Sequence, residues 1–339
     1  MPSFAIGVDL GGTNLRVAAV DDSGNLLEKV TSGTAVGKGR DHVIHEMATV
    51  ILGLAAKFQS VGALAGIGVG VPGIIDMTTG MLRESPNLPG WHDYPVRDEI
   101  EKRLKAPVIL ENDANAAALG EFWLGAARDH DSMCMLTLGT GVGGGIVLNG
   151  EVWRGMTGMA GELGHITVDP NGPPYGCGSR GCVEQYASAT AIKRMAAEAM
   201  AHGGAPELKR AAEASVEFSA KNVYQMAVQG DEAARAIFRK VGWAVGIVIA
   251  GLVNAFNAPM YVIGGGVSSA WEAFAPAMLE EVRTRSFVYR ATTPAEAHGQ
   301  AGNTIVTRAL LGSDAGLYGA ARLALISKRE GTRRSAEAR

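Results

Sequence analysis

The stretch Asp9-Leu10-Gly11-Gly12-Thr13-Asn14 decides the fold, because it is a glycine-and-threonine turn between two apolar runs and a similar turn recurs later in the chain. The later copy is Leu138-Gly139-Thr140-Gly141-Val142-Gly143-Gly144-Gly145. The apolar runs predict strands over residues 4–10 and 15–20 around the first turn, and over residues 133–138 and 145–148 around the second. Two such hairpins indicate an internal duplication, with one glycine hairpin in each of two domains.

Outside the hairpins, helical and strand patterns alternate along the chain. Apolar residues at helical spacing predict helices, and short apolar runs predict strands. The predicted helices are 42–58, 96–104, 113–125, 231–256 and 315–326, and the predicted strands are 66–71, 108–110, 260–263 and 304–307. This order predicts an α/β fold that opens with an antiparallel meander.

The composition is that of a globular chain of about two domains, since 339 residues compare with about 150 per domain. A net charge of -3 with 19% charged residues offers no basic surface for nucleic acid. Three cysteines fit a reducing cytosol better than a disulfide scaffold. We see no export signal, and the apolar run 241–256 is too short to span a membrane. We therefore expect a cytoplasmic protein without nucleic-acid or membrane partners.

The glycine turns are candidates for phosphate binding. Such turns aim several backbone N–H groups at one phosphate, and Thr13 or Thr140 can add a hydroxyl donor. Residues 139–144 also match a dinucleotide fingerprint, but that fingerprint must open a helix and here it opens a strand, so we reject it. An ordinary hairpin remains the alternative for either turn alone. Together with the glycine run 264–266 after a buried strand, the two turns predict a nucleotide site.

Two acidic residues at strand ends are candidates for chemistry. Asp9 ends a buried strand, where an unpaired carboxylate is costly, so its partner is either Mg²⁺ with its waters or the N–H groups of its own turn. Asp113 lies between a core strand and an alanine-rich helix. Either Asp113 or Asn112 can cap that helix. Asp113 is therefore either a general base for a substrate hydroxyl, with Asn112 orienting that substrate, or a helix cap. Both alternatives stay open for each residue.

A third cluster combines acids, thiols and an imidazole. Its members are Glu162, His165, Cys177, Cys182 and Glu184. The histidine and the two cysteines are ligands suited to zinc. Three ligands do not close a structural tetrahedral site, however, and Tyr175 occupies the nearest place for a fourth. Zinc and a purely structural histidine therefore remain alternatives.

Six motifs in order resemble the ROK family, a group of sugar kinases and sugar-responsive repressors in the actin-like ATPase superfamily. They are residues 9–14, 111–116, 138–145, 161–165, 177–184 and 264–266. The resemblance implies the actin-like (ribonuclease H-like) fold, with two α/β lobes and the sugar and ATP in a central cleft. The implied lobes are a small one, 1–113 plus 312–328, and a large one, 114–311, with a flexible tail over 329–339. It also implies a homodimer.

The resemblance further implies roles for individual residues. Asp113 would be the base that activates a hexose 6-hydroxyl. The hexose-binding residues would be Asn87, Asn112, Glu162, His165 and Glu184. The ATP and Mg²⁺ site would comprise Asp9, Gly11, Gly12, Thr13, Thr140 and Gly141, with Gly264, Gly265 and Gly266 near the adenosine. Family members with zinc read Cys-x-Cys-Gly-x-x-Gly-Cys, whereas Tyr175 stands at the first cysteine here. Zinc on His165, Cys177 and Cys182 is therefore expected to be absent or weakly held.

The implied activity is ATP-dependent phosphorylation of a hexose. Residues 85–91, Ser-Pro-Asn-Leu-Pro-Gly-Trp, resemble the sugar loop of the family's glucokinases, which favours glucose. The alternatives are an N-acetylglucosamine, mannose or fructose kinase, a sugar-binding transcriptional repressor, and a catalytically silent sugar-binding module. Repressors carry a helix-turn-helix ahead of the sugar domain, whereas this chain begins directly with its first strand. Polyphosphate stays open as a second phosphoryl donor.

Overall fold

A computed structural model describes residues 2–293 and 303–337, with side chains described as far as residue 327. Its strands are β1 (Ser3–Leu10), β2 (Asn14–Asp21), β3 (Leu26–Gly33), β4 (Ala63–Val71), β5 (Ile74–Asp76), β6 (Met81–Glu84), β7 (Ile109–Asn112), β8 (Met133–Leu138), β9 (Val142–Leu148), β10 (Glu151–Val152), β11 (Met260–Gly264) and β12 (Ile305–Arg308). Its helices are α1 (Arg40–Lys57), α2 (Val96–Leu104), α3 (Asp113–Trp123), α4 (Glu184–Ala187), α5 (Ala189–Ala201), α6 (Pro206–Ala214), α7 (Ala220–Gln229), α8 (Glu232–Phe256), α9 (Trp271–Arg285), α10 (Phe287–Thr292) and α11 (Ala315–Glu337).

The predicted elements are present, with small shifts at their ends. α2 and β8 have the predicted bounds, and β9 begins three residues earlier than expected, directly after the glycine turn. The last helix, predicted over 315–326, continues to Glu337. The added residues are rich in Lys, Arg and Glu, which have favourable helix propensity. Most of the segment expected as a tail, 329–339, is therefore helical, and residues 338–339 lie outside the described part of the chain.

Two five-stranded sheets share one strand order. The first runs β3-β2-β1-β4-β7 and the second β10-β9-β8-β11-β12, so corresponding strands occupy corresponding places. In the first sheet β1, β2 and β3 form the expected antiparallel meander, and β1, β4 and β7 are parallel. In the second, β8, β11 and β12 are parallel. The common order agrees with the duplication predicted from the two glycine hairpins.

The chain forms two compact units. The first comprises Met1–Asp129, Gly145–Gly161 and Ser313–Arg339, and the second comprises His130–Gly144 and Glu162–Gly312. Unlike the lobes implied by the resemblance, the first unit includes α3, because α3 packs backbone to backbone on α11. The lobe boundaries at residues 113 and 312 remain a prediction.

The first unit has apolar clusters on both faces of its sheet. Phe4, Ile6 and Val8 pack with α1 and α2, whereas Ala5, on the alternate face of β1, packs with α11. The alternation follows from the strand period of two. The sheet is thus covered on both faces. Polar side chains can therefore reach solvent only at its edges and at the ends of its strands.

Helix α8 is the most apolar element of the second unit. It is long and apolar enough to cross a membrane by length and composition, but 67% of its most apolar window is buried inside the protein. Burial of this kind is the behaviour of a core helix. The length of the run 241–256 therefore does not by itself exclude a membrane span for the whole helix, and it is the burial of α8 that indicates a core element.

Candidate active site

The first unit brings Asp9 and the segment 111–113 to one edge of its sheet. β1, β4 and β7 are parallel, and their register pairs Asp9 with Gly70 and Gly70 with Glu111. Asp113 follows β7 directly, as the first residue of α3. Because the carboxyl ends of parallel strands meet at one edge, residues far apart in the sequence become neighbours there. The first glycine turn, which follows β1, lies at the same edge.

Asp9 has a charged partner on the neighbouring strand. Its Oδ2 lies 2.8 Å from Nη1 of Arg16, the residue directly opposite it on β2. Burial raises the pKa of the Asp9 carboxyl, and the hydrogen bond and charge of Arg16 oppose that rise. Neither Mg²⁺ nor the turn amides are needed to explain this buried acid.

Asn112, and not Asp113, is the N-cap of α3. Its side-chain oxygen accepts the backbone N–H groups of Ala114 and Asn115 at 2.9 and 3.1 Å, and its Nδ2 donates to the carbonyl of Gly73. Asp113 is half-buried, and its Oδ1 accepts the Ala114 N–H at 2.9 Å. The positive end of the helix dipole stabilises a carboxylate at this position. Asp113 thus lies in the first turn of α3, and the capping role belongs to its neighbour Asn112.

Glu111 lies in the motif 111–116, and its contacts give it a structural role that the sequence does not reveal. Its side chain is 1% exposed, and Oε2 lies 2.7 Å from both Nε and Nη2 of Arg154. Its Oε1 accepts the N–H of Asn112 at 3.0 Å and Nδ2 of Asn115 at 3.2 Å. A carboxylate within a core strand is a signal that a partner is required. The sequence does not reveal which of the arginines supplies it.

The first glycine turn packs against the loop that carries Asn87. A Cβ atom at Gly12 would overlap the carbonyl of Asn87, so the close approach requires glycine there. The Gly11 N–H donates to the Asn14 carbonyl at 2.9 Å. That amide is therefore used inside the hairpin. Asn87 and Thr13 are exposed beside it.

The second unit has an equivalent edge. β8 and β11 are parallel, with Gly264 paired to Thr137, so the run 264–266 lies beside the second glycine turn. Gly265 has a φ of +81°, and a Cβ there would overlap the carbonyl of Leu138. The Gly139 N–H donates within its turn, to the Gly141 carbonyl at 2.8 Å, while Thr140 is exposed. The glycine runs of this unit, distant in sequence, are thus adjacent.

Glu184 is fixed through both of its carboxylate oxygens. It begins α4, and its Oε2 accepts the Val142 N–H at 2.7 Å. A Cβ at Gly141 would lie 2.6 Å from the same oxygen, so this glycine makes room for the carboxylate. The Tyr175 hydroxyl donates to Oε1. Gly141, predicted as a phosphate-binding residue, therefore also has a structural role beside Glu184.

His165 lies between Glu162 and Tyr175. Its Nε2 is 3.8 Å from Oε2 of Glu162, and its ring stacks on Tyr175 with centroids 5.4 Å apart. Partial burial raises the pKa of the Glu162 carboxyl, His165 opposes this rise, and the charge of Glu184 adds to it. Three of the residues predicted to bind a hexose belong to this unit. They are Glu162, His165 and Glu184, and they form one connected cluster of two carboxylates and an imidazole.

The predicted zinc ligands do come together. One ligand atom each from His165, Cys177 and Cys182 lies within 4.8 Å of the others, and the two sulfurs are 3.7 Å apart. Nδ1 of His165 is buried and has no hydrogen-bond partner among the described residues. At the fourth position, burial and Glu184 raise the pKa of the Tyr175 phenol, so it stays protonated. The donors fit a three-ligand site and not the closed four-ligand site of structural zinc.

Comparisons with known proteins give one family. A sequence profile described as "ROK family" matches residues 5–326. The glucokinase of Thermotoga maritima is 43% identical over 277 residues, 82% of this chain and 86% of the relative. The glucokinase of Halalkalibacterium halodurans is 40% identical over 316 residues, 93% and 92% of the two chains. A ROK family glucokinase from Streptomyces griseus, solved with glucose and AMPPNP, is 34% identical with a TM-score of 0.72, and the match covers 94% of this chain and 98% of that one. The likeness confirms the predicted fold class.

Proposed function

This chain belongs to the ROK family, and we propose from that membership and its site that it is a glucokinase, which transfers a phosphoryl group from ATP to the 6-hydroxyl of glucose. One observation carries the catalytic assignment. Asp113 stands at the N-terminus of α3 with the capping role already filled by Asn112, at the sheet edge that also carries the first glycine turn.

In the proposed reaction Asp113 removes the proton of the hexose 6-hydroxyl. The oxygen forms a bond to the terminal phosphorus of ATP, the bond from that phosphorus to the β-phosphate oxygen breaks, and ADP leaves with the electron pair. A positioned base contributes about 10² to 10⁴ in rate. The rest of phosphoryl-transfer catalysis is positioning and charge stabilisation, which needs no further protein nucleophile.

We assign the hexose hydroxyls to five side chains: Asn87, Asn112, Glu162, His165 and Glu184. Carboxylates and side-chain amides accept and donate the hydrogen bonds that sugar hydroxyls offer. Asn112 has one amide oxygen committed to the helix cap, so its contribution is the remaining N–H of its amide. Glu184 is the best anchored of the set, because both of its oxygens already have donors.

We assign the ATP phosphates to the two glycine turns. Since the amides of Gly11 and Gly139 donate within their hairpins, the proposed donors are the amides of Gly12 and Thr13 and the hydroxyl of Thr140. The run 264–266 is assigned to the adenosine. Mg²⁺ bound to ATP, held in part by Asp9, would neutralise charge on the transferred phosphoryl group.

A coupled assay for ADP release, run with glucose, N-acetylglucosamine, mannose and fructose, tests the assignment. We expect the highest kcat/KM with glucose and ATP. Faster turnover of N-acetylglucosamine would remove the glucose assignment, and absence of turnover with every hexose would remove the kinase assignment.

Repeating the assay with polyphosphate in place of ATP decides the phosphoryl donor. Light scattering tests the homodimer that we infer from the family, and cell fractionation tests the cytoplasmic location.

A further inference from the structure

Tyr175 links two of the residues assigned to the hexose. Its hydroxyl donates to Oε1 of Glu184, and its ring stacks on His165 with an angle of 23° between the planes. Tyr175 is half-buried in the loop that also carries Cys177 and Cys182. One side chain therefore contacts a candidate sugar carboxylate, a candidate sugar imidazole and the loop of the incomplete metal cluster.

The contact with Glu184 completes the fixation of a carboxylate. The Val142 N–H holds Oε2 from one side at 2.7 Å, and Tyr175 holds Oε1 from the other. With only one of these donors, the carboxylate can rotate about its χ angles. With both, it has one orientation before any ligand arrives, and a preorganised site loses less conformational entropy on binding.

The ring of Tyr175 stacks on His165 and so restricts the orientation of the imidazole. The backbone loop beneath it is short and tight: Tyr175 accepts the Gly178 N–H through its carbonyl and donates its own N–H to Ser179. These two hydrogen bonds close the loop through its own backbone. The Tyr175 hydroxyl is committed to Glu184, and the ligand atoms that come together among the described residues are those of His165, Cys177 and Cys182.

We propose that Tyr175 is a positioning residue of the hexose site, which orients Glu184 and His165 through direct contacts and thereby replaces the fourth ligand of a metal-held loop. The inference rests on the proposed function, because it requires that Glu184 and His165 bind the sugar. It goes beyond that function by making this chain's sugar affinity independent of zinc and dependent on one phenol.

The first test is Tyr175→Phe, which keeps the stacked ring and removes only the hydroxyl. Glucose binding is measured by titration calorimetry and turnover by the coupled assay. We expect the Kd and KM for glucose to rise about tenfold, the effect of losing a hydrogen bond to a charged group, with kcat at saturating glucose within about threefold of wild type. Tyr289→Phe, in α10 of the same unit, is the matched control and should leave all three values unchanged.

The second test is Tyr175→Cys, which supplies the missing thiol. We expect this variant to keep one zinc per chain through dialysis against a chelator. Its glucose Kd should be raised as in Tyr175→Phe while zinc is bound, because the donor to Glu184 is gone, and should rise further when stronger chelation removes the zinc. Wild type should keep no zinc and show the same glucose Kd before and after chelation. These readouts are metal content and binding, so they do not depend on turnover.

The outcomes distinguish a failure of the proposed kinase function from a failure of the positioning role of Tyr175. Wild type that binds glucose without phosphorylating it contradicts the proposed function and leaves the Tyr175 comparison intact. An unchanged glucose Kd in Tyr175→Phe overturns the positioning role. Zinc that survives chelation in wild type also overturns it, because the loop would then be held by metal.

Discussion

Arg154 reaches the buried carboxylate of Glu111 at 2.7 Å from a position 43 residues later in the chain. Glu111 in turn accepts hydrogen bonds from Asn112 and Asn115, the residues on either side of Asp113 and Ala114. Asp113, the candidate base, therefore belongs to a segment that is hydrogen-bonded to one buried ion pair through its backbone and side chains. Damage to this pair should affect both stability and turnover.

Arg154→Met should destabilise the protein by about 2 to 3 kcal/mol. Removing one partner leaves a carboxylate buried without compensation, which costs roughly 3 to 5 kcal/mol, and the 35% exposure of Arg154 reduces the loss because water can enter. Urea unfolding measures the change. Arg283→Met removes an arginine from an exposed pair with Glu280 and should cost less than about 1 kcal/mol. Equal losses in the two variants would contradict a special role for Arg154.

Asp113→Asn should lower kcat by about 10² to 10⁴ while changing the glucose Kd by less than about threefold. The amide keeps the size of the carboxylate but cannot take the hydroxyl proton. Asp98→Asn, which also removes an acid from the first turn of a helix, is the control and should retain wild-type kcat. Comparable turnover in both variants would show that Asp113 is not the base.

Gly319→Ala should destabilise the protein by at least about 1 to 3 kcal/mol, because a methyl group at this position of α11 would overlap the Ala116 carbonyl of α3. Gly251→Ala makes the matched comparison. Its Cβ would meet nothing within 4 Å among the described residues, and alanine favours the helix by about 0.5 to 1 kcal/mol. Thermal unfolding should therefore move in opposite directions. A neutral Gly319→Ala would contradict the close α3–α11 packing.

Because of Cys134, the free energy of unfolding should decrease as the pH rises through the alkaline range. Burial raises the pKa of its thiol to about 12, whereas an unfolded thiol titrates near pH 8.5. The raised folded pKa means that the stabilising contribution is complete below about pH 8.5 and is lost as pH rises toward 12, by up to about 1.4 kcal/mol per pH unit.

Urea unfolding at about pH 8, 9 and 10 measures this slope. Cys134→Ala should remove part of it, although the cavity lowers stability at every pH. Val262→Ala, at a buried residue of the adjacent strand β11, also leaves a cavity but removes no titratable group, so it should keep the wild-type slope. Parallel pH profiles for wild type and Cys134→Ala would contradict the assignment.

Local signals were enough to predict the elements that carry the candidate site residues of the first unit, but not the short strands β5, β6 and β10 or the helices α4 to α7, α9 and α10. The hairpins, α2, β8 and α8 were predictable because their signals lie in contiguous residues. These signals are the glycine turns, the spacing of apolar residues and the polar segment after β7. The pairing of Asp9 with Arg16 was within reach as well, since the hairpin register places them opposite each other. The cap at Asn112 was one of two neighbours that the sequence could not separate, because both side chains have the same capping chemistry.

The sequence by itself determined the repeated hairpin, the alternation of helices and strands, and the family, because these depend on short-range patterns of residue type. Only the tertiary structure decided that Arg154 pairs with Glu111, that Gly141 makes room for Glu184, and that Tyr175 donates a hydrogen bond to the Glu184 carboxylate. Hydrogen bonds and ion pairs depend on distances of a few tenths of an ångström. Between residues distant in the chain, those distances exist only after the sheets and helices have packed.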